Sequence, residues 1–138
     1  MSFPDLLILL LVAMAIGWAF LRYTPSDSQD WHVDPVTVRK SRRPNNLLVT
    51  KHVALPPDQA AARLESLALA TPRTSHFAGE GFHRTWITLS PLGLPTFTSV
   101  RLVPENGGTN VVVYARARYL SRLPGAEKAR VRGWLDQL

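Results

Sequence analysis

The sequence predicts an α+β protein in which an N-terminal transmembrane helix precedes a small domain built from an antiparallel sheet with two helices packed on one face. Three observations carry that prediction. An uncharged apolar run, Leu6 to Leu21, opens the chain. Short β-rich segments separated by Pro and Gly turns fill its middle. Two segments with apolar residues at three- and four-residue spacing supply the helices. The expected element order is strand, helix, three strands, helix, with the helices segregated to one side of the sheet.

The apolar run covers about 24 Å as a helix and reaches a marginal span once Ser2, Phe3 and Pro4 are added and Arg22 snorkels beside Trp18 and Tyr23. A cleaved secretory signal ordinarily carries Lys or Arg ahead of its apolar core, whereas only the amino terminus and Asp5 precede Leu6. A small-residue cleavage pattern can be forced onto Ala13, Ala15 and Gly17, but Trp18 and Phe20 suit a membrane interface better. A buried core helix would be the plain alternative, yet no polar face recurs at helical spacing. Residues 1–23 are therefore read as an uncleaved single-pass anchor in a membrane, taken as a bacterial inner membrane. Counting Lys and Arg favours a cytoplasmic domain. Asp27, Asp30 and Asp34 lie nearest the membrane and weigh against it, so both sides stay open.

Residues 24–46 follow as a tether, with Pro25, Pro35 and Pro44 favouring extended chain. Trp31-His32-Val33-Asp34-Pro35 is too apolar for a pure linker and is expected to dock on the domain or on a partner. His32 beside Asp34 is too sparse a pair to signal a metal or acid–base site.

The domain proper is 47–138. Leu47 to Leu55 reads as a buried strand. Pro56 and Pro57 end it and open a helix whose first turn carries Asp58, with Ala60, Ala61, Leu64, Leu67 and Ala68 as the buried stripe. Thr71-Pro72 ends that helix, and a loop around Gly79-Glu80-Gly81 follows. Phe82 to Leu89 and Thr96 to Val103 read as strands, split by Pro91, Gly93 and Pro95. Glu105-Asn106-Gly107-Gly108 is a hairpin turn whose Asn-Gly pair supplies positive φ angles. Asn110 to Tyr119 is the partner strand. Pro124-Gly125 stops the sheet, and Ala126 to Leu138 forms the last helix with Val131, Trp134, Leu135 and Leu138 on one side.

Charge and composition narrow the function. Sixteen basic residues against ten acidic ones give a net charge of +6. Arg39, Lys40, Arg42 and Arg43 form one cluster, and Arg116, Arg118, Arg122, Lys128, Arg130 and Arg132 crowd the C-terminal quarter. Beside an anchor, such charge points to anionic lipid headgroups before nucleic acid, which a tether disfavours. The absence of cysteine excludes disulfides, thiolate catalysis and Cys-based metal sites. No cofactor or metal is expected.

Alternation in the last strand places Val112, Tyr114, Arg116 and Arg118 on one face and Val111, Val113, Ala115, Ala117 and Tyr119 on the other. Two arginines about 7 Å apart on one face form a fork suited to carboxylate or phosphate. Arg116, Arg118 and Arg130 are the candidate residues for an anion, a lipid headgroup or a partner. Trp18, Trp31, Arg39, Lys40, Arg42 and Arg43 are the interface candidates. The alternative for the arginine pair is pairing with Glu80 or Glu105, or simple solvation.

The stretch Tyr114-Ala115-Arg116-Ala117-Arg118-Tyr119, continuing through Arg122, Gly125, Lys128, Arg130, Val131, Arg132, Trp134 and Leu135, resembles the C-terminal signature of the domain of unknown function 1499 family. Leu89-Ser90-Pro91-Leu92-Gly93-Leu94-Pro95 resembles the Pro-flanked turn upstream of it. The resemblance covers 46–138. It implies Ser-Arg-Ser-Arg where this chain has Ala115-Arg116-Ala117-Arg118, aspartate at Leu123 and asparagine at Glu127. If those polar groups made a catalytic site, this chain lacks it.

Four functions are weighed on these residues. The leading one is a membrane-anchored, non-catalytic binding or accessory subunit of a larger membrane protein complex. The second is a carrier of a small hydrophobic ligand or lipid, entered near Phe82, Trp86 and Phe97. An enzyme comes third, because His32, His52, His76 and His83 are scattered and no nucleophile elbow or phosphate loop is present; His76, Glu80 and His83 form its best cluster. Nucleic-acid binding by the basic sheet is the last.

Overall fold

Helix formation begins at the first residues because Ser2 caps them. Its backbone N–H donates to the Asp5 carboxylate at 3.0 Å, and Pro4 supplies a preset φ in the first turn. The helix, α1, runs Phe3–Tyr23, 21 residues or about 31 Å, and so begins before and ends after the uncharged run. It is long and apolar enough to cross a membrane, and none of its residues is buried. Thr24 ends it, its hydroxyl bonding back to the Phe20 carbonyl ahead of Pro25. The computed structural model describes residues 1–39 and 43–138, so Lys40 and Arg42 lie outside the described residues.

The elements that follow are α2 (Ser28–Trp31), β1 (Asn46–Val53), α3 (Pro57–Ala70), β2 (Thr74–Glu80), β3 (His83–Leu89), β4 (Pro95–Glu105), β5 (Gly108–Ala117) and α4 (Gly125–Asp136). The strands form one antiparallel sheet in the order β1-β5-β4-β3-β2. The α+β class and the order of the expected elements are those the sequence predicts. Two elements are additional. Strand β2 occupies the stretch read as a loop, and α2 is a single helical turn inside the tether, capped by the Asp27 carboxylate on the Gln29 N–H at 2.9 Å. Of the Asn106-Gly107 pair only the glycine has a positive φ, 75°.

Register assigns each face. Ala115 opposes Leu47 and Thr98, and Val113 opposes Val49 and Val100, so these residues share the side on which α3 and α4 pack. Ala60, Ala61, Leu64 and Ala68 of α3 join Val131, Trp134 and Leu135 of α4, Trp86 of β3 and the β5 valines and alanines in one core. Small Ala115 and Ala117, 0% and 1% exposed, let the helices approach the sheet closely. The indole N–H groups of this layer are satisfied: Trp86 donates to Glu65 and Trp134 to Thr71, at 3.1 and 3.0 Å. Lys51 donates to the Leu135 carbonyl at 2.7 Å and so closes the end of α4.

Candidate functional site

The other face of the sheet carries Tyr114, Arg116 and Arg118 from the β5 side, Phe97, Ser99 and Arg101 from β4, and His83, Thr85 and Ile87 from β3, as the pairings Phe97–Arg116, Ser99–Tyr114, Thr85–Ser99 and His83–Arg101 require. The segment that follows α1, 24–38, lies across this face as a strap. Trp31 stacks on Phe97 with ring centroids 4.7 Å apart, and Phe77 meets Phe97 edge-on at 4.8 Å. This is the docking expected of the apolar Trp31–Pro35 stretch, with the chain's own sheet as the receiving surface.

Arg116 and Arg118 hold the strap. The Arg116 guanidinium sits 4.1 Å from the Trp31 ring centroid and 5.8 Å from that of Tyr114, and it donates to the Asp30 carbonyl at 2.9 Å. Its Nε is buried without a partner. Arg118 donates to the Thr24 carbonyl at 3.2 Å and to the Ser26 hydroxyl, and stacks on Tyr119 at 4.9 Å. The two arginines share a face as alternation predicts, and they spend their donors on backbone oxygens and a hydroxyl of the strap.

Arg130 does not join them. It lies under the sheet on α4, donating to Glu127 at 2.7 Å and to Thr98 at 3.0 Å with Trp134 stacked at 4.7 Å. Burial pushes its guanidinium below the ordinary arginine range, opposed by the Glu127 carboxylate. One Arg130 amine, Nη1, is buried and unpartnered. The sheet thus separates the expected three-arginine group into a strap-holding pair and a core ion pair.

Farther along, His32 and His83 stack at 3.9 Å. The His32 Nδ1 lies 2.6 Å from the Thr85 hydroxyl, which lies 2.8 Å from the Ser99 hydroxyl, and His83 Nε2 lies 2.8 Å from the Val33 carbonyl. Both hydroxyl residues are buried, at 0% and 1% exposure. Desolvation, then the neighbouring His83 and His76, depress the His32 pKa below its ordinary 6.5, and Asp34 opposes them. Asp34 also faces Arg101 at 3.8 Å. His76 bonds the Gly79 carbonyl at 2.7 Å. Gly79 has φ of 82°, and a Cβ there would sit 2.2 Å from the His83 carbonyl oxygen and 2.6 Å from His32 Cε1, so the close approach of the strap needs glycine. Among the described residues no group of three His, Asp or Glu could hold a metal ion.

At the strap's start, the Trp18 indole donates to the Leu92 carbonyl in the β3–β4 loop at 2.5 Å, and Arg22 packs over Gly93 of the same loop. Arg39 and Arg43 are exposed. The carrier entrance expected at Phe82, Trp86 and Phe97 does not assemble: Trp86 and Phe97 lie on opposite faces, Phe97 is covered by Trp31, and Phe82 sits in the β2–β3 turn. The described residues enclose no cavity. The sequence pointed to Trp31 and the arginine pair separately; their partnership was missed, and an aromatic in a Pro-rich tether is the signal for it.

No family model and no curated protein matches this chain. Among solved structures it is similar to protein CV1439 from Chromobacterium violaceum, at 16% identity and a TM-score of 0.44, over 68% of this chain and 94% of that one. It is likewise similar to DR_A0006 from Deinococcus radiodurans, at 15% identity and a TM-score of 0.42, over 66% of this chain and 92% of that one. Mll3558 from Rhizobium loti aligns at 14% identity and a TM-score of 0.38, over 67% of this chain and 92% of that one.

Proposed function

We propose that this protein is a single-pass, membrane-anchored binding module that serves, without catalysis, as an accessory subunit of a membrane protein complex. The observation that supports it most is the coupling of anchor to domain. The segment between them is folded onto the sheet by Trp31, Arg116 and Arg118, and α1 meets the β3–β4 loop through Trp18. A domain joined this way is presented to its surroundings in one attitude, as a subunit that docks laterally requires. The face a carrier would use for its ligand is filled by the strap, and the histidines nearest to acid–base chemistry are bonded to the chain's own hydroxyls and carbonyls. Membership of the domain of unknown function 1499 family, read from Arg116 to Leu135, belongs to the same proposal, as does a bacterial inner membrane as the location.

The test is purification of the tagged full-length protein from its native membrane in mild detergent. A membrane protein recovered in fixed stoichiometry supports the reading. Recovery of the chain alone, with lipid extracted from the purified protein in equimolar amount, replaces it with the carrier reading.

A further inference from the structure

We infer that the β3–β4 loop, Ser90–Leu94, is a second membrane contact, set into the lipid interface beside the anchor; the inference rests on α1 spanning a bilayer. Trp18 precedes the end of α1 at Tyr23 by five residues, so it sits about 7 Å back along the helix axis, on the membrane side of the exit point. Its indole N–H is bonded to the Leu92 carbonyl, which holds the loop at that same depth. An interfacial tryptophan needs a polar partner for its N–H while its ring stays among acyl chains, and here the loop backbone provides it.

The loop is built to enter such a layer. Three of its backbone N–H groups are satisfied within the loop, with Ser90 N–H donating to the Leu94 carbonyl at 2.9 Å, Gly93 N–H to the Ser90 carbonyl at 2.8 Å and Leu94 N–H to the Ser90 hydroxyl at 3.1 Å. The Leu92 side chain projects outward, 67% exposed, and Leu120 in the adjoining 118–124 segment is 36% exposed. Gly93 has φ of 82° and accepts the Arg22 side chain across its face, so the guanidinium of the anchor's last turn lies over the loop. Arg73, whose Nε donates to the Leu89 carbonyl at 2.9 Å, and Arg122 are exposed on neighbouring segments at this end of the sheet, where they add positive charge for anionic headgroups. The opposite end, at Asn106, is about 35 Å away along β4.

Because the chain has no cysteine, single cysteines can be introduced without removing any. Leu92→Cys, Ile8→Cys and Asn106→Cys are each labelled with an environment-sensitive fluorophore in the full-length protein, reconstituted in phosphatidylcholine and phosphatidylglycerol vesicles. Nitroxide lipids carry the quencher near the headgroup or at mid-chain. The expected result is quenching at position 92 by the shallow nitroxide at least threefold stronger than at 106, with position 8 quenched by the deep one. Quenching at 92 no stronger than at 106, with position 8 still quenched, overturns the loop contact and leaves the anchor standing; a loop covered by another protein gives this pattern. Absence of quenching at position 8 overturns both.

Discussion

The guanidinium of Arg116 lies 4.1 Å from the ring centroid of Trp31, eighty-five positions earlier in the chain, and donates to the carbonyl of the residue before it, Asp30. A half-buried stack of this kind is worth about 1 kcal/mol, and the hydrogen bond from a charged donor adds about 1.5 kcal/mol. The pair fixes the segment between α1 and the sheet.

Arg116→Lys keeps the charge and loses the planar stack. We expect the strap to loosen by about 1–2 kcal/mol, read as faster hydrogen exchange at 28–34 with the β4 and β5 amides unchanged. Trp31→Ala produces the same local pattern with a larger effect. Equal acceleration in the strap and in the central strands would show that the strap has no separate opening.

His32 gives the strap a pH dependence whose sign follows from its depressed pKa. The unfolded or released strap takes up a proton near pH 6.5 while the docked one resists it, so the docked state binds fewer protons in that window. Strap stability is therefore full above about pH 6.5 and falls as the pH drops toward the docked value, the groups facing His32 being His83, His76 and Asp34 with Arg101 behind it. Hydrogen exchange at Trp31–Val33 between pH 7.5 and 5 should accelerate beyond its intrinsic rate, and His32→Gln should flatten that dependence.

Gly79→Ala forces a left-handed φ on an L-residue and drives its Cβ toward backbone as well as the His32 ring. We expect a loss of about 2–4 kcal/mol, measured by thermal unfolding. Gly93→Ala shares the φ but meets only the flexible Arg22 side chain, so about 1–2 kcal/mol is expected.

In the helix layer, Glu127→Ala leaves Arg130 buried with a charge and no counter-ion, at a cost of about 3–5 kcal/mol. The double variant Glu127→Ala, Arg130→Met removes that uncompensated charge and should recover most of the loss. Additive losses in the double-mutant cycle would contradict the pairing.

The sequence shows the elements whose burial is one-sided and regular. The stripe from Ala60 to Ala68 placed α3, Val131, Trp134 and Leu135 placed α4, and the alternation from Val111 to Arg118 placed both faces of β5, whereas Tyr119, expected on the helix side, lies beyond the end of β5 at Ala117 and stacks with Arg118. Strand β2 was not legible because it is an edge strand with Phe77 as its one large apolar residue, a bulge between His76 and Ala78 and a glycine at 79. Its pairing is dictated by β3, a long-range partner that local composition does not reveal. The same limit applies to the site. That Arg116 and Arg118 share a face follows from the period of a strand, whereas their partners Thr24, Ser26, Asp30 and Trp31 are reached only by folding the tether back across the sheet. On the helix side, Ala115, Ala117 and Leu123 are core, and Glu127 is the partner of Arg130.

The central claim is that the strap joins anchor and domain as one body, and an electron spin distance between the two tests it most directly. Nitroxides on Ala13→Cys in α1 and Ala62→Cys on the exposed side of α3, in the full-length protein in lipid nanodiscs, should give one narrow distance distribution that broadens in Trp31→Ala. A broad distribution in the unaltered strap, unchanged by that substitution, would make residues 24–38 a flexible linker and contradict the account.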